Sequence, residues 1–388
     1  MTTLYSFTRV FNIPELGDYI CALFYIDESE ETRSNDSDSD EETDIAAFTS
    51  LLHTCRATFR PAARRIWGAP VQVEHLLSLL PGVSVVSPSF RLSYWVIQET
   101  DVPEYTALTF LDRFKLYAPF VKSLRVENVF WPDDNAEDGQ TAPSLARMIL
   151  EQSAKEGALL PNLKSLAITT DEGHPDNLER LYWATMLLSP SILSLKLIGT
   201  GMNVGNIASE SSRMDFTTAA LRKCVNIEKL ELEFFNDEDD WNLSGLLPRF
   251  FDSSMPKLSR LRRLVCRQSI LCPEFLQWLQ SIPNLESLEL DCLIFESDLP
   301  ITPLISPDSF LSLSSLEFRI SDLKAAICLF QTPLVHHLST LEVDVWPCTN
   351  LAAVQLVREF VDQVKESCPR LTQTSWSPPY SEPVNRVP

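Results

Sequence analysis

"IPNLESLELD", residues 282–291, decides how this chain folds. Leu285 comes first, Leu288 follows three residues on, and Leu290 five residues on. The last two alternate with polar residues, so both point to one face of a β-strand. The first precedes the strand and tucks in from the turn. The same spacing recurs in "LPNLKSLAI" (160–168), "SPSILSLKLI" (189–198), "CVNIEKLELE" (224–233), "SRLRRLVCR" (259–267), "LSLSSLEFR" (311–319) and "HHLSTLEVD" (336–344). "PFVKSLRVE" (119–127) opens the series and "PRLTQTSW" (369–376) closes it.

Helix-like segments separate the copies, such as "PEFLQWLQS" (273–281) and "DLKAAICLFQ" (322–331), whose apolar residues recur at three and four. Pro273 suits a first helical turn. Strand, helix and strand at short intervals imply parallel strands joined by right-handed crossovers. One such unit cannot bury both faces, but stacked units can. The strand leucines Leu124, Leu166, Leu195, Leu230, Leu264, Leu288, Leu316 and Leu341 lie 24 to 42 residues apart. This pattern resembles the leucine-rich repeat family in a loose, variable-length form. The asparagine that often follows the strand in that family is missing from most units. The expected fold is α/β: an irregular leucine-rich-repeat solenoid over 119–388, with parallel strands and outer helices.

The chain has 388 residues, 45% of them hydrophobic, enough for a large core. Its formal net charge is -21. Most of it sits in three clusters: residues 27–44; Asp133, Asp134, Glu137 and Asp138; and Asp237–Asp240. Such acidity opposes non-specific binding to nucleic acid or anionic lipid. No stretch reaches the roughly 18 apolar residues of a membrane helix. The opening residues, MTTLYSFTRVFNIPELGD, show no signal-peptide pattern. Nine cysteines without a CxxC argue for reduced packing thiols. The expectation is a soluble cytoplasmic or nuclear protein.

Residues 1–70 read as a helical module. In "IPELGDYICALF" (13–24), Pro14 fits the first helical position, and Leu16, Ile20, Leu23 and Phe24 form one stripe. The acidic run 27–44 is too poor in hydrophobics to order itself. Asp44 is a candidate N-cap, and Ile45, Phe48, Leu51, Leu52, Cys55 and Phe59 mark a second helix. Pro61 should end it and start a third through Ala62, Ala63, Ile66 and Trp67. Arg56, Arg60, Arg64 and Arg65 fall on the outer flanks. Residues 71–118 read as a helical connector.

"IPELGDYICALF" followed by "LLHTCRATFRPAARRIW" resembles the F-box, in particular that of fungal F-box proteins with leucine-rich repeats. "VQVEHLLSLLP" (71–81) is similar to the segment after the F-box in such proteins. The resemblance implies a substrate receptor: the F-box docks the Skp adaptor of a cullin ubiquitin ligase core, and the repeats hold a protein target. By that likeness Pro14, Leu16, Ile20, Leu23, Leu52, Cys55 and Trp67 line or support the adaptor interface. The likeness also implies that the ubiquitin chemistry occurs on other subunits, so that the chain is not an enzyme. The alternative is a repeat scaffold that binds proteins outside any ligase. A three-helix unit is in any case too small to bury all its apolar residues alone.

Other chemistries find little footing. The four arginines from 56 to 65 lie close to "DSDSDEE", which opposes a role on phosphates of nucleic acid. A calcium loop starting at Asp36 needs glycine at Glu41 and glutamate at Ala47; one starting at Asp134 places Ala136 and Leu145 at ligand positions. Gly199, Gly201 and Gly205 miss the dinucleotide spacing by one residue. His53, His75, His174, His336 and His337 show no metal spacing, and no GxSxG elbow occurs. No cofactor, metal or catalytic residue is assigned. Ser37 and Ser39, each followed by an acid three residues on, suit an acidophilic kinase.

On the strands, the residues between the leucines face the concave side of the expected solenoid. Lys229, Glu231, Arg263, Arg267, Glu289, Asp291, Arg319, Glu342 and Asp344 are the candidate partner-binding residues. A basic rung, Arg263 and Arg267, lies between acidic rungs at Glu231/Glu233 and Glu289/Asp291. Such alternation would set a partner's register by complementary charge.

Overall fold

The computed structural model describes residues 56–80, 83–86, 95–99, 114–127, 129–130, 154–155, 157–170, 182–199, 216–234, 257–267, 270–271, 273–295, 310–320, 326–327, 330–331, 335–345 and 351–377. They divide into two compact units: those within Met1–Ser84, Glu99–Arg125 and Ser144–Lys164, and those within Val85–Gln98, Val126–Pro143 and Ser165–Pro388. The expected helix over 13–24, the acidic run 27–44 and the expected second helix up to Cys55 lie outside the described residues.

In the first unit, helix α1 spans Arg56–Gly68. The expected break at Pro61 does not occur, because the proline lies inside this one helix. A helix-interior proline forfeits an N–H bond and costs about 3 kcal/mol. Packing on both sides opposes that cost. Pro61, Ala62 and Ala63 are buried. The Phe59 ring sits 5.6 Å from the Tyr117 ring, and the Trp67 ring sits 5.3 Å from it.

Strand β1 (Pro70–Gln72) and helix α2 (Val73–Leu77) follow. Next come β2 (Val83–Val86), β3 (Trp95–Glu99), β4 (Ser123–Glu127) and β5 (Val129–Phe130). The stretch 71–118, expected to be helical, therefore also contains strands. "VSVV" and "WVIQE" are rich in the branched and aromatic residues that suit a pleated surface. β1 pairs with β4 in parallel, Val71 opposite Leu124. β3 pairs with β5 in parallel in the second unit.

The second unit carries the repeats. Its strands are β6 (Ser165–Thr170), β7 (Ser194–Gly199), β8 (Lys229–Phe234), β9 (Arg263–Arg267), β10 (Ile270–Leu271), β11 (Ser287–Phe295), β12 (Ser315–Ile320), β13 (Thr340–Val345) and β14 (Gln373–Ser377). The helices are α3 (Pro273–Gln280) and α4 (Leu351–Ser367), and residues 216–223 are also helical. The sheet order is β6-β7-β8-β9-β11-β12-β13-β14, with β10 pairing β11. Every one of these pairings is parallel. The unit is thus an α/β fold on a parallel sheet, as the strand spacing predicts.

Register follows the leucines. Leu166, Leu195, Leu230, Leu264, Leu288, Leu316 and Leu341 stand opposite one another across successive strands. Each is at most 1% exposed. A slip of one residue would turn the whole column to the polar side, which fixes the pairing. The residue expected to tuck in from the turn does so: Ile192, Ile227, Leu261, Leu285, Leu313 and Leu338 are all buried. A further buried column precedes it by three residues: Ser189, Cys224, Leu258, Ile282, Phe310, Val335 and Cys368.

Helices cover the leucine side. Phe275, Leu276 and Leu279 of α3 are buried. Phe360 of α4 meets Phe318 of β12 edge-on at 6.2 Å and Phe330 at 5.0 Å. The column ends at β14, where Thr374 stands opposite Leu341 and is exposed.

Asparagines lock successive turns together. Asn226 Nδ2 donates to the Pro190 carbonyl at 2.8 Å, and Asn284 Nδ2 to the Ser259 carbonyl at 2.6 Å. Within the first unit Asn162 Nδ2 donates to the Pro119 carbonyl at 2.8 Å. Each acceptor lies two residues before the turn apolar residue of the preceding copy. The donor in each case precedes the strand, and it ties its turn to the preceding one.

Candidate protein-binding face

The side of the sheet opposite the leucines is polar, and parallel register sorts its residues into rows. The first row runs Ser194, Lys229, Arg263, Ser287, Ser315, Thr340 and Gln373. The second runs Lys196, Glu231, Val265, Glu289, Glu317, Glu342 and Ser375. A third begins Ile198, Glu233 and Arg267 and resumes at Arg319 and Asp344. Asp291 falls in a register shift between Leu290 and Leu293, so it does not continue that row. The bulge locally disrupts the ladder and interrupts the expected alternation there.

Much of the charge is satisfied within the sheet. Lys196 Nζ lies 2.7 Å from Glu231 Oε1. That ammonium allows Glu231 to sit only 7% exposed. Arg263 reaches diagonally to Glu289 at 3.2 Å, and Arg319 meets Asp344 at 3.6 Å. The alternation of basic and acidic rungs therefore stitches neighbouring strands before any partner arrives. Among the candidates, Lys229, Arg263, Arg319 and Glu342 are exposed; Val265, which is not a candidate, is buried between Glu231 and Glu289 in register. Sequence reading puts Lys196 and Glu231 on the same face but only Glu231 among the partner-binding candidates; that the two pair with each other emerges only once β7 and β8 are known to be neighbours.

Glu289, Glu317 and Glu342 form an unbroken acidic run across β11, β12 and β13. Among the described residues no cation is within ion-pair distance of Glu317 or Glu342. Burial first, then the carboxylates of Glu289 and Glu342, raise the Glu317 carboxyl above its ordinary value; Arg319 and Arg263 oppose this more weakly. A strip of like charge in direct register is destabilising to the isolated sheet. It suits a partner that brings hydrogen-bond donors and positive charge.

Of the adaptor-interface candidates, Trp67 alone is described. It is 8% exposed and packs on Tyr117 within its own unit. Pro14, Leu16, Ile20, Leu23, Leu52 and Cys55 lie outside the described residues.

Covalent and metal chemistry have little to work with among the described residues. Burial pushes the Cys224 and Cys368 thiols up to about 11 and raises Cys266 further, so all three are packing groups. No group of three or more His, Cys, Asp or Glu is placed to hold a metal ion among these residues. No described helix is long and apolar enough to cross a membrane. A scan against protein-family models finds no match, and a search of curated proteins finds none either.

Proposed function

We propose that the chain is the substrate-recognition subunit of a Skp–cullin–F-box ubiquitin ligase. In this reading residues 1–70 form a helical F-box module, with one helix over Arg56–Gly68 in place of the two expected around Pro61, and that module holds the Skp adaptor. Pro14, Leu16, Ile20, Leu23, Leu52 and Cys55 line that contact, with Trp67 behind them. The stacked units are a leucine-rich-repeat solenoid whose polar face receives a protein target, and the chain itself catalyses nothing. The observation that carries the recognition half is the in-register strip Glu289–Glu317–Glu342, in which Glu289 pairs with Arg263 while Glu317 and Glu342 have no cation within ion-pair distance among the described residues. The likeness of "IPELGDYICALF" and "LLHTCRATFRPAARRIW" to the F-box carries the adaptor half.

Co-purification of the intact chain with the Skp adaptor tests the reading. Binding should occur, and Leu16→Asp combined with Leu23→Asp should abolish it while the repeats stay cooperatively folded. An intact chain that captures no adaptor would leave only the repeat scaffold.

A further inference from the structure

We propose that a groove beside the end of α1 binds a compact phosphate-class oxyanion. The groove encloses about 250 Å³ and is lined by Arg64, Arg65, Gly68, Ala69 and Lys122. Three of the five are cations and none is an acid. From Arg56 to Val73 the chain contains no acidic residue, although its net charge is -21.

The cations converge from two elements. Arg64 and Arg65 come from the last turns of α1, and Lys122 immediately precedes β4. The parallel pairing of Pro70 with Ser123 sets Ala69 and Lys122 side by side, so the groove follows from strand register. Lys122 is fixed further, because its carbonyl accepts the Lys164 N–H at 2.7 Å. That brings a fourth cationic residue, Lys164, to the next rung. Solubility alone would be served by one arginine flank and does not call for a lysine from another element opposite it.

Shape and chemistry name the ligand class. Gly68 and Ala69 leave the floor low, and a Cβ added at Gly68 would meet nothing within 4 Å. Two guanidinium forks and one ammonium match the three acceptor oxygens of a phosphoryl group. Arg64 and Arg65 each have another contact, but a guanidinium offers five N–H donors, enough for two partners. The chain's overall acidity repels extended polyanions at long range, whereas a small dianion is held at short range. The groove stands independently of the ubiquitin-ligase reading.

The test titrates the full chain with inorganic phosphate at constant ionic strength, read by phosphorus NMR line width and by Tm. A second arm uses a phosphoserine peptide with its unphosphorylated twin, and a third uses duplex DNA. Saturable binding of inorganic phosphate or the phosphopeptide is expected, and the tighter of the two identifies the source. Lys122→Glu, at an exposed position, should weaken it at least about tenfold, as loss of a charge-assisted bond implies, with far-UV circular dichroism unchanged. Arg65→Glu should do the same. Equal responses to chloride and phosphate, unaltered binding in both variants, or DNA binding as tight as that of phosphate would overturn the proposal.

Discussion

Lys196 on β7 and Glu231 on β8 stand in direct register, with Nζ 2.7 Å from Oε1. The carboxylate side chain is only 10% exposed, against 38% for the lysine. Removing the lysine would leave a nearly buried charge without this partner, the costly half of any such pair. Lys196→Met should therefore cost about 1–3 kcal/mol in urea unfolding. Adding Glu231→Gln should recover part of the loss. A double-mutant cycle with no coupling would show that the pair contributes nothing.

Leu288 is fully buried at the middle of the leucine column. Leu288→Ala should destabilise by about 2–5 kcal/mol. Glu286→Ala, on an exposed side chain two residues away, should change stability by under about 0.5 kcal/mol. Equal effects at the two positions would contradict the burial of Leu288, since Glu286 precedes the strand and stays in water.

Asn284 stitches its turn to the preceding one through the Ser259 carbonyl. Asn284→Ala should cost about 1 kcal/mol, the net worth of one such bond. The loss should appear as faster amide exchange at Glu286 and Ser287, whose N–H groups both bond to the Arg262 carbonyl. Exchange that stays unchanged there would place the stitching elsewhere.

Glu317 gives a pH signature. Its carboxyl is raised in the fold relative to the unfolded chain. The folded state then binds more protons between the two values, so stability falls as pH rises through the folded pKa. Glu317→Gln should stabilise the protein at pH 7 by up to about 1 kcal/mol, the scale of like-charge pairs across strands. Below the ordinary value of 4.5 the gain should vanish, since both states are then protonated. Thermal unfolding from pH 4 to 8 reads the difference. A gain that grows towards low pH would reverse the sign and refute the argument.

The leucine columns were legible because a period of two inside a short repeat is a local signal. Leu288 and Leu290 announce their facing without knowledge of any neighbour. The buried column of Ser189, Cys224, Phe310 and Cys368 was not legible, since its members share neither size nor polarity. Only the turn geometry, with Ile227 N–H bonded to the Cys224 carbonyl, relates them. Pro61 misled because the proline rule is local, while the rings of Phe59 and Trp67 close on Tyr117 some 50 residues away in sequence. The cationic residues of Arg64, Arg65 and Lys122 could be counted in the sequence, but their convergence depends on the pairing of β1 with β4.

At β14 the apolar column gives way to an exposed threonine, and Thr372, Gln373 and Ser375 around it are exposed as well. Replacing Thr374 by leucine would carry the apolar column one strand further, onto a position that now faces water.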